Sequence, residues 1–230
     1  MHLSRRTLAA EGGFTLPELM ISIVVGTLVI IAAYGLLDAS RSGALKVTDR
    51  VDATQRGRLA MDEIVRELRS QVCVDPAAGA IADGRDGSVT FYTFSGTGAY
   101  APERHTITWD PRAHTISDYR YVGSGSPPRM TYPAAPTSTN VLLTDVVQDG
   151  AAPIFAYYAW STDGTATPSL RLPTPLTTAD AVRAVRVVVQ FRVLPSRIGK
   201  TTESTSLQDE VFSRTADPNG ADGPTPTQCT

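Results

Sequence analysis

The first pattern along the chain is a mostly apolar segment that covers residues 14–37. At a rise of 1.5 Å per residue, a helix over this segment is about 36 Å long, which is enough to cross the roughly 30 Å hydrocarbon core of a bilayer. Its one charged side chain is Glu18, close to its start. An ionised carboxylate in hydrocarbon costs a few kcal/mol, so we expect Glu18 to have a function and a partner. The pattern therefore predicts a membrane-spanning helix with a functional carboxylate near its first turn.

The helical pattern continues beyond this segment as far as the proline at position 76. Apolar side chains recur there at steps of three and four, at Met61, Ile64, Val65, Leu68 and Val72. This spacing defines one helix face, which we expect the rest of the chain to cover. The sequence thus predicts a single helix over about residues 15–72. Bends are expected at its glycines, each of which weakens a helix by up to about 1 kcal/mol: Gly26, Gly35, Gly43 and Gly57.

After Pro76 the periodicity changes from that of a helix to that of strands. Residues 104–109 and 115–122 flank Asp110-Pro111-Arg112-Ala113 and are predicted to form a hairpin with a four-residue turn. Residues 182–193 alternate apolar and polar positions, as in a strand with one packed face. Further strands are predicted over residues 88–94, 141–147 and 154–160. We therefore predict an α+β fold, in which an antiparallel sheet packs on the second half of the N-terminal helix.

Charge and motifs narrow the function classes. The chain has a net charge of −2 and no clustered Lys/Arg face, so nucleic-acid binding has little to act through. His105 and His114 fall in the predicted hairpin, where we interpret them as solvated strand histidines rather than catalytic bases. Asp-Gly sequences at residues 83–87 and 163–164 favour turns over calcium sites. No enzyme motif is present, and no catalytic residue, cofactor or metal site is predicted.

Compartment and cysteine content bear on covalent structure. Arg5 and Arg6 precede the apolar segment and no basic residue follows until Arg41, so the positive-inside rule places the chain after residue 37 outside the cytoplasm. Disulfides form and persist there. We therefore interpret Cys73 and Cys229 as one disulfide that ties the C-terminal tail to the end of the helix. Two free thiols or a metal site are the less favoured alternatives.

One short motif carries a resemblance to a known family. The residues Gly13-Phe14-Thr15-Leu16-Pro17-Glu18-Leu19, after a short basic leader, resemble the processing signal of type IV pilins and type II secretion pseudopilins. The resemblance implies cleavage between Gly13 and Phe14 by a prepilin peptidase and N-methylation of Phe14 by the same enzyme. It also implies that Glu18 pairs with the N-terminal amine of a neighbouring subunit during assembly. Residues 58–69 look more like the larger minor subunits, the J-type pseudopilins and W-type minor pilins, than a major pilin.

The resemblance gives the chain an expected organisation and role. Residues 1–13 would be a leader, 14–37 the transmembrane and filament-core helix, 38–75 the extracytoplasmic part of the helix, and 76–230 a β-rich pilin-like domain with a Pro/Gly-rich tail. The expected partners are prepilin peptidase, other pilin or pseudopilin subunits, and membrane lipid. The expected function is that of a non-enzymatic minor subunit in a type IV pilus or secretion pseudopilus. A plain single-pass anchor, a membrane-tethered binding or adhesion module that does not polymerise, and a secreted hydrolase with a signal anchor are the alternatives.

Overall fold

The computed structural model describes residues 13–74, 79–94, 102–126, 129–161, 167–196 and 204–213. The chain divides into two compact units, Met1–Val47 and Thr48–Thr230. The secondary-structure elements are, in chain order, α1 (Leu16–Arg69), β1 (Ile81–Arg85), β2 (Ser88–Thr93), β3 (Glu103–Asp110), β4 (Thr115–Val122), β5 (Ser124–Ser126), β6 (Arg129–Thr131), β7 (Ser138–Thr144), β8 (Val146–Val147), β9 (Phe155–Ala159), β10 (Leu170–Arg171), α2 (Thr178–Arg183), β11 (Arg186–Val193) and β12 (Thr205–Phe212).

Helix α1 is a single helix of 54 residues, as the sequence predicts. Pro17 lies in its first turn, where backbone N–H groups have no helical partner, so its missing donor costs little. Glu18 in the first turn and Arg66 and Arg69 in the last suit the positive and negative ends of the helix dipole. All four glycines named above lie within the helix, so none of them ends it. It ends at Arg69, and the hydroxyl of the next residue, Ser70, donates to the Glu67 carbonyl at 2.7 Å.

The first sheet has the strand order β1-β2-β3-β4-β7, and each neighbouring pair is antiparallel. The predicted hairpin of β3 and β4 is confirmed. In its turn, the Asp110 side chain accepts hydrogen bonds from the backbone N–H groups of Arg112 and Ala113, and His114 adopts a positive φ of 53°. These contacts hold the turn, because a side-chain acceptor satisfies donors that the strands leave unpaired.

The second sheet has the order β10-β9-β11-β12, with β8 also paired to β11, while β5 and β6 form a separate small hairpin. The prediction of one strand over residues 182–193 is wrong in its first part. Thr178–Arg183 forms helix α2, because the Thr177 side chain caps it by accepting from the Asp180 N–H at 3.1 Å. Only Arg186–Val193 is strand. The sequence analysis did not predict strands β1, β5, β6, β10 and β12.

The core lies between the second half of α1 and the inner faces of the two sheets. Alternate residues of β11 face inward, and Val187, Val189, Phe191 and Val193 are all buried, as the alternation predicts. The helix contributes Ala53, Ala60, Met61, Ile64, Val65 and Leu68 to the same cluster. Packing of the sheet face on the apolar helix stripe is therefore confirmed. Burial of this kind stabilises a fold by about 25 cal/mol per Å² of apolar surface.

The helix and the second sheet approach each other closely at Gly57. A Cβ atom built on Gly57 would lie 2.3 Å from Leu207 Cδ1 and 2.9 Å from Val193 Cγ2. Glycine at this position lets the side chains of β11 and β12 pack directly on the helix backbone. From the sequence, Gly57 is expected only to weaken the helix. In the fold, side chains of the second sheet occupy the space that a larger residue would fill.

Arg56 adds a polar connection beside this contact. Its guanidinium pairs with Asp52 one turn earlier at 2.9 Å. It also donates to the backbone carbonyl of Leu194 at 3.2 Å and to that of Thr144 at 3.3 Å. One helix side chain therefore binds the ends of strands from both sheets. Because these acceptors are backbone atoms at the strand ends, the contact fixes the helix position as well as contributing charge pairing.

Candidate functional site

The N-terminal segment places the candidate processing and assembly residues at the start of α1. Gly13 and Phe14 precede the first helical residue. The Leu19 N–H donates to the Thr15 carbonyl at 3.1 Å, and the Ser22 hydroxyl donates to the Glu18 carbonyl at 2.8 Å. Within the part of the chain that the structure describes, the Glu18 carboxylate forms no ion pair. It is thus positioned in the first helical turn with its charge available to a partner.

The apolar surface that follows is uncovered. Every residue from 13 to 48 is exposed, including Phe14 at 78% and Leu36 at 74%. This part of α1 is long and apolar enough to cross a membrane, by length and composition. So large an apolar surface is unstable in water because burying it releases free energy in proportion to its area. The segment therefore requires a bilayer or other apolar helices around it.

A second polar site lies inside the β domain, and sequence reasoning missed it. His105 was predicted to be solvated, and this prediction is wrong: its side chain is 8% exposed. Its Nδ1 atom lies 3.0 Å from Asp118 Oδ2, and its Nε2 atom lies 3.8 Å from Glu103 Oε2. Glu103, 6% exposed, also receives two charge-assisted hydrogen bonds from the Arg120 guanidinium.

The alternation of β3 contains the signal that His105 is buried. Glu103, His105 and Ile107 fall on the same side of a strand, and Ile107 is fully buried. A period of two therefore places the histidine on the core face. Its partner Asp118 comes from β4, where it pairs in register with Ile107. This partnership depends on strand register, which the sequence alone does not supply.

The surroundings of this cluster shift two pKa values. Burial lowers the pKa of His105, but its hydrogen bond to Asp118 and the charges of Asp118, Glu67 and Glu103 outweigh burial and raise it above the usual 6.5. Burial also raises the pKa of the Glu67 carboxyl, with further repulsion from Asp118 and Glu63. A cavity of about 610 Å³ opens beside these groups. The arrangement is an internal charge network with one titratable base.

The other positions that the sequence analysis singled out are the two cysteines and the two Asp-Gly sequences. Cys73 is half-buried shortly after α1, whereas Cys229 lies outside the described residues, so their disulfide stays a prediction. In the Asp-Gly sequence at residues 83–87, the first three residues end β1 and the last two, Asp86 and Gly87, form the expected turn to β2. The one at residues 163–164 lies outside the described residues. Among the residues that the structure describes, no group of three or more His, Cys, Asp or Glu side chains could hold a metal ion.

Comparison with known proteins identifies the first of the two sites. Residues 8–34 match the family described as the prokaryotic N-terminal methylation motif. No curated protein matches the chain. The matched region contains Gly13, Phe14 and Glu18 together with most of the exposed apolar helix. The motif implies processing by a prepilin peptidase and assembly with other pilin subunits, and its carriers are structural subunits rather than enzymes. The N-terminal segment of this chain is therefore a type IV pilin-like prepilin signal, attached to a long helix and an antiparallel β domain.

Proposed function

We propose that this chain is a minor pilin or pseudopilin subunit, which is inserted in the membrane, cleaved after Gly13 and N-methylated at Phe14. It would then join the initiating or tip complex of a type IV pilus or a type II secretion pseudopilus. The observation that carries the proposal is the methylation motif at residues 8–34, which coincides with the uncovered apolar half of α1. A subunit of this kind needs a surface that is stable first in lipid and then among other helices.

Glu18 supplies the specific chemistry of assembly in this proposal. A carboxylate in an apolar environment is costly until an opposite charge reaches it. Cleavage before Phe14 creates such a charge, because it exposes a new N-terminal amine. This amine lies four residues before Glu18 on the same chain, and every neighbouring subunit carries one as well. Pairing between the Glu18 carboxylate of one subunit and the amine of the next would stabilise the assembled state more than the isolated subunit. The β domain, which follows residue 48 in the chain, would lie outside the cytoplasm.

The size of the β domain supports a minor rather than a major role. It contains two sheets with five strands each and a small extra hairpin, and it continues to residue 213 in the described part of the chain. Residues 58–69 are the part of α1 that has one buried face and one charged outer face. The resemblance to J-type and W-type subunits rests on this segment. A domain of this bulk fits a terminal position, where fewer neighbours crowd it, better than a repeating position along a filament.

The first test is the chemistry of the mature N-terminus. Peptide and intact-mass analysis of membrane fractions should find a methylated Phe14 as the first residue. A matched variant, Gly13→Val, places a branched side chain at the cut site and should accumulate the uncut form. Recovery of Met1 on the membrane-bound wild-type protein would contradict the proposal and favour a plain single-pass anchor.

The second test separates an assembling subunit from a tethered module. Glu18→Gln keeps the size of the side chain and removes its charge, so it should be cleaved normally and fold normally but fail to enter sheared or co-purified filament fractions. Asp38→Asn is the matched control, because it removes an exposed carboxylate of α1 that lies beyond the apolar segment. Asp38→Asn should assemble like the wild type. Equal incorporation of Glu18→Gln and wild type would support the membrane-tethered binding module instead.

A further inference from the structure

The buried histidine of the β domain has a carboxylate beside each of its ring nitrogens. Asp118 lies at Nδ1 with its two oxygens at 3.0 and 3.2 Å, and Glu103 lies 3.8 Å from Nε2. The ring is also stacked on Phe91, with 5.8 Å between centroids. A neutral imidazole carries no net charge, whereas an imidazolium donates to Asp118 from Nδ1 and is attracted to the Glu103 carboxylate near Nε2. The position therefore suits the protonated ring.

The charges around the ring show what its proton balances. Glu103 has its own cation, because Arg120 binds it with two nitrogens. Among the described residues, the ion pair of Asp118 is with His105 itself, and Glu67 approaches from α1 with no cation bound to its carboxylate. Arg66, its neighbour on the helix, pairs with Glu63 instead. The other side chains that meet the cluster are neutral: Phe91 from β2, and Ser138 and Asn140 from β7.

We propose that His105 is a pH-sensitive lock of the β domain, closed while the imidazole carries its proton and released when the proton is lost. In the closed state, the imidazolium joins β3 to Asp118 of β4 and offsets the charge of Glu67 on α1. Deprotonation removes the cation that is paired with Asp118, so Asp118 and the half-buried Glu67 keep only the charges of Arg120 and Arg66, which are themselves paired with Glu103 and Glu63. Carboxylates that lose their nearest cation in a partly buried site are destabilising, so the domain loses stability in the deprotonated state.

The direction of the pH dependence follows from the raised pKa of His105. A group that binds its proton more tightly in the folded state stabilises the fold fully below its unfolded pKa, here about 6.5. That stabilisation is lost as the pH rises through the folded-state pKa. A single proton limits the change to roughly tenfold in the unfolding equilibrium constant per pH unit. The pKa of Glu67 is also raised, so its contribution to stability is likewise lost as the pH rises. This loss begins near the usual pKa of 4.5.

The decisive experiment compares stability against pH for the full chain in detergent micelles. Denaturant unfolding is followed by tryptophan fluorescence, because Trp109 packs against the core and donates to the Val146 carbonyl. Between pH 6 and pH 9, the unfolding constant of the wild type should rise by up to about tenfold per unit over part of the range. His105→Gln should show no such rise, whatever its absolute stability. His114→Gln, which alters an exposed histidine of the adjacent turn, should keep the wild-type profile.

A spectroscopic measurement tests the lock without relying on a variant that folds. The ring resonances of His105 in histidine-labelled wild-type protein should titrate above pH 6.5. Asp118→Asn removes the main charge partner, so it should move this titration, and the stability loss with it, to lower pH. Glu67→Gln should leave the loss of stability above pH 7 unchanged. A wild-type unfolding constant that does not change between pH 6 and pH 9, or a His105 ring that titrates below 6.5, would overturn the proposal.

Discussion

Gly57 offers the sharpest test of how the helix packs on the second sheet. Its position would put a Cβ atom 2.3 Å from Leu207 Cδ1 and 2.9 Å from Val193 Cγ2. Both distances are well below van der Waals contact. Leu207 can rotate part of its flexible side chain away, but Val193 is fully buried and β-branched, so it has little freedom to move. We therefore expect Gly57→Ala to destabilise the β domain.

Two opposing terms set the magnitude. Alanine is better than glycine in a helix by about 1 kcal/mol, which would stabilise the variant if nothing else changed. Inserting a methyl group into a packed contact typically costs 1–3 kcal/mol, roughly 2 for a site with one stiff neighbour. The net expectation is a loss of about 1 kcal/mol in the free energy of unfolding. Gly57→Val adds two further methyl groups and lower helix propensity, so its loss should be larger, at about 3 kcal/mol.

Denaturant unfolding of the full chain in detergent measures the effect, with two controls. Gly43→Ala makes the same change in the same helix where nothing lies within 4 Å, so it should not destabilise the protein. Leu207→Ala removes the nearest obstacle, so Gly57→Ala should cost less in that background than in the wild type. If Gly57→Ala is as stable as the wild type or more stable, helix propensity decides at this position and the close approach of the sheet is wrong.

Three further predictions use other contacts. Leu68→Ala, at a fully buried helix position, should cost about 2–5 kcal/mol, whereas Leu59→Ala, at a position 72% exposed on the same helix, should change stability by less than about 0.5; thermal or denaturant unfolding compares them directly. Tyr157→Phe removes the hydroxyl that donates to a β2 carbonyl at 2.9 Å, so it should cost about 1 kcal/mol in the same assay. Non-reducing peptide mapping of the exported protein should recover Cys73 and Cys229 as one crosslinked pair, and two alkylated thiols would contradict it.

The sequence predicts those parts of the fold whose signals are local and long. Helix α1 combines an apolar segment with a sustained helical stripe, and its bounds differ from the prediction by a few residues at each end. The hairpin of β3 and β4 has a turn sequence between two β-rich runs, and its register forms as expected. At the N-terminus, the order of Gly13, Phe14 and Glu18 predicts a prepilin signal because such a signal is read as a linear sequence, and the methylation motif matched by residues 8–34 includes these positions.

The parts that were missed depend on tertiary context. Strand β12 mixes polar and apolar residues with no strong preference, and it is a strand because it pairs with β11 along its whole length. Helix α2 was not predicted, and its last two residues were assigned to the alternating strand, although Thr177 followed by Asp180 is a capping signal. The His105 site combines side chains from three elements. Only the fold brings them together, so no local pattern predicts it.

The order of the strands has a consequence for how the domain forms. Thr54 of α1 meets Thr205 of β12 at 3.1 Å across a separation of 151 residues, and Leu207 covers Gly57. The helix that begins the domain is therefore covered in part by β12, the last strand in the described part of the chain. Contacts so distant in sequence are slow to form, because a long loop must close before they stabilise anything. A chain that stops before residue 204 would leave β11 with an open edge beside a row of valines, which is a template for aggregation. Formation of β12 is thus the step that covers the edge of β11 and ends the aggregation-prone intermediate.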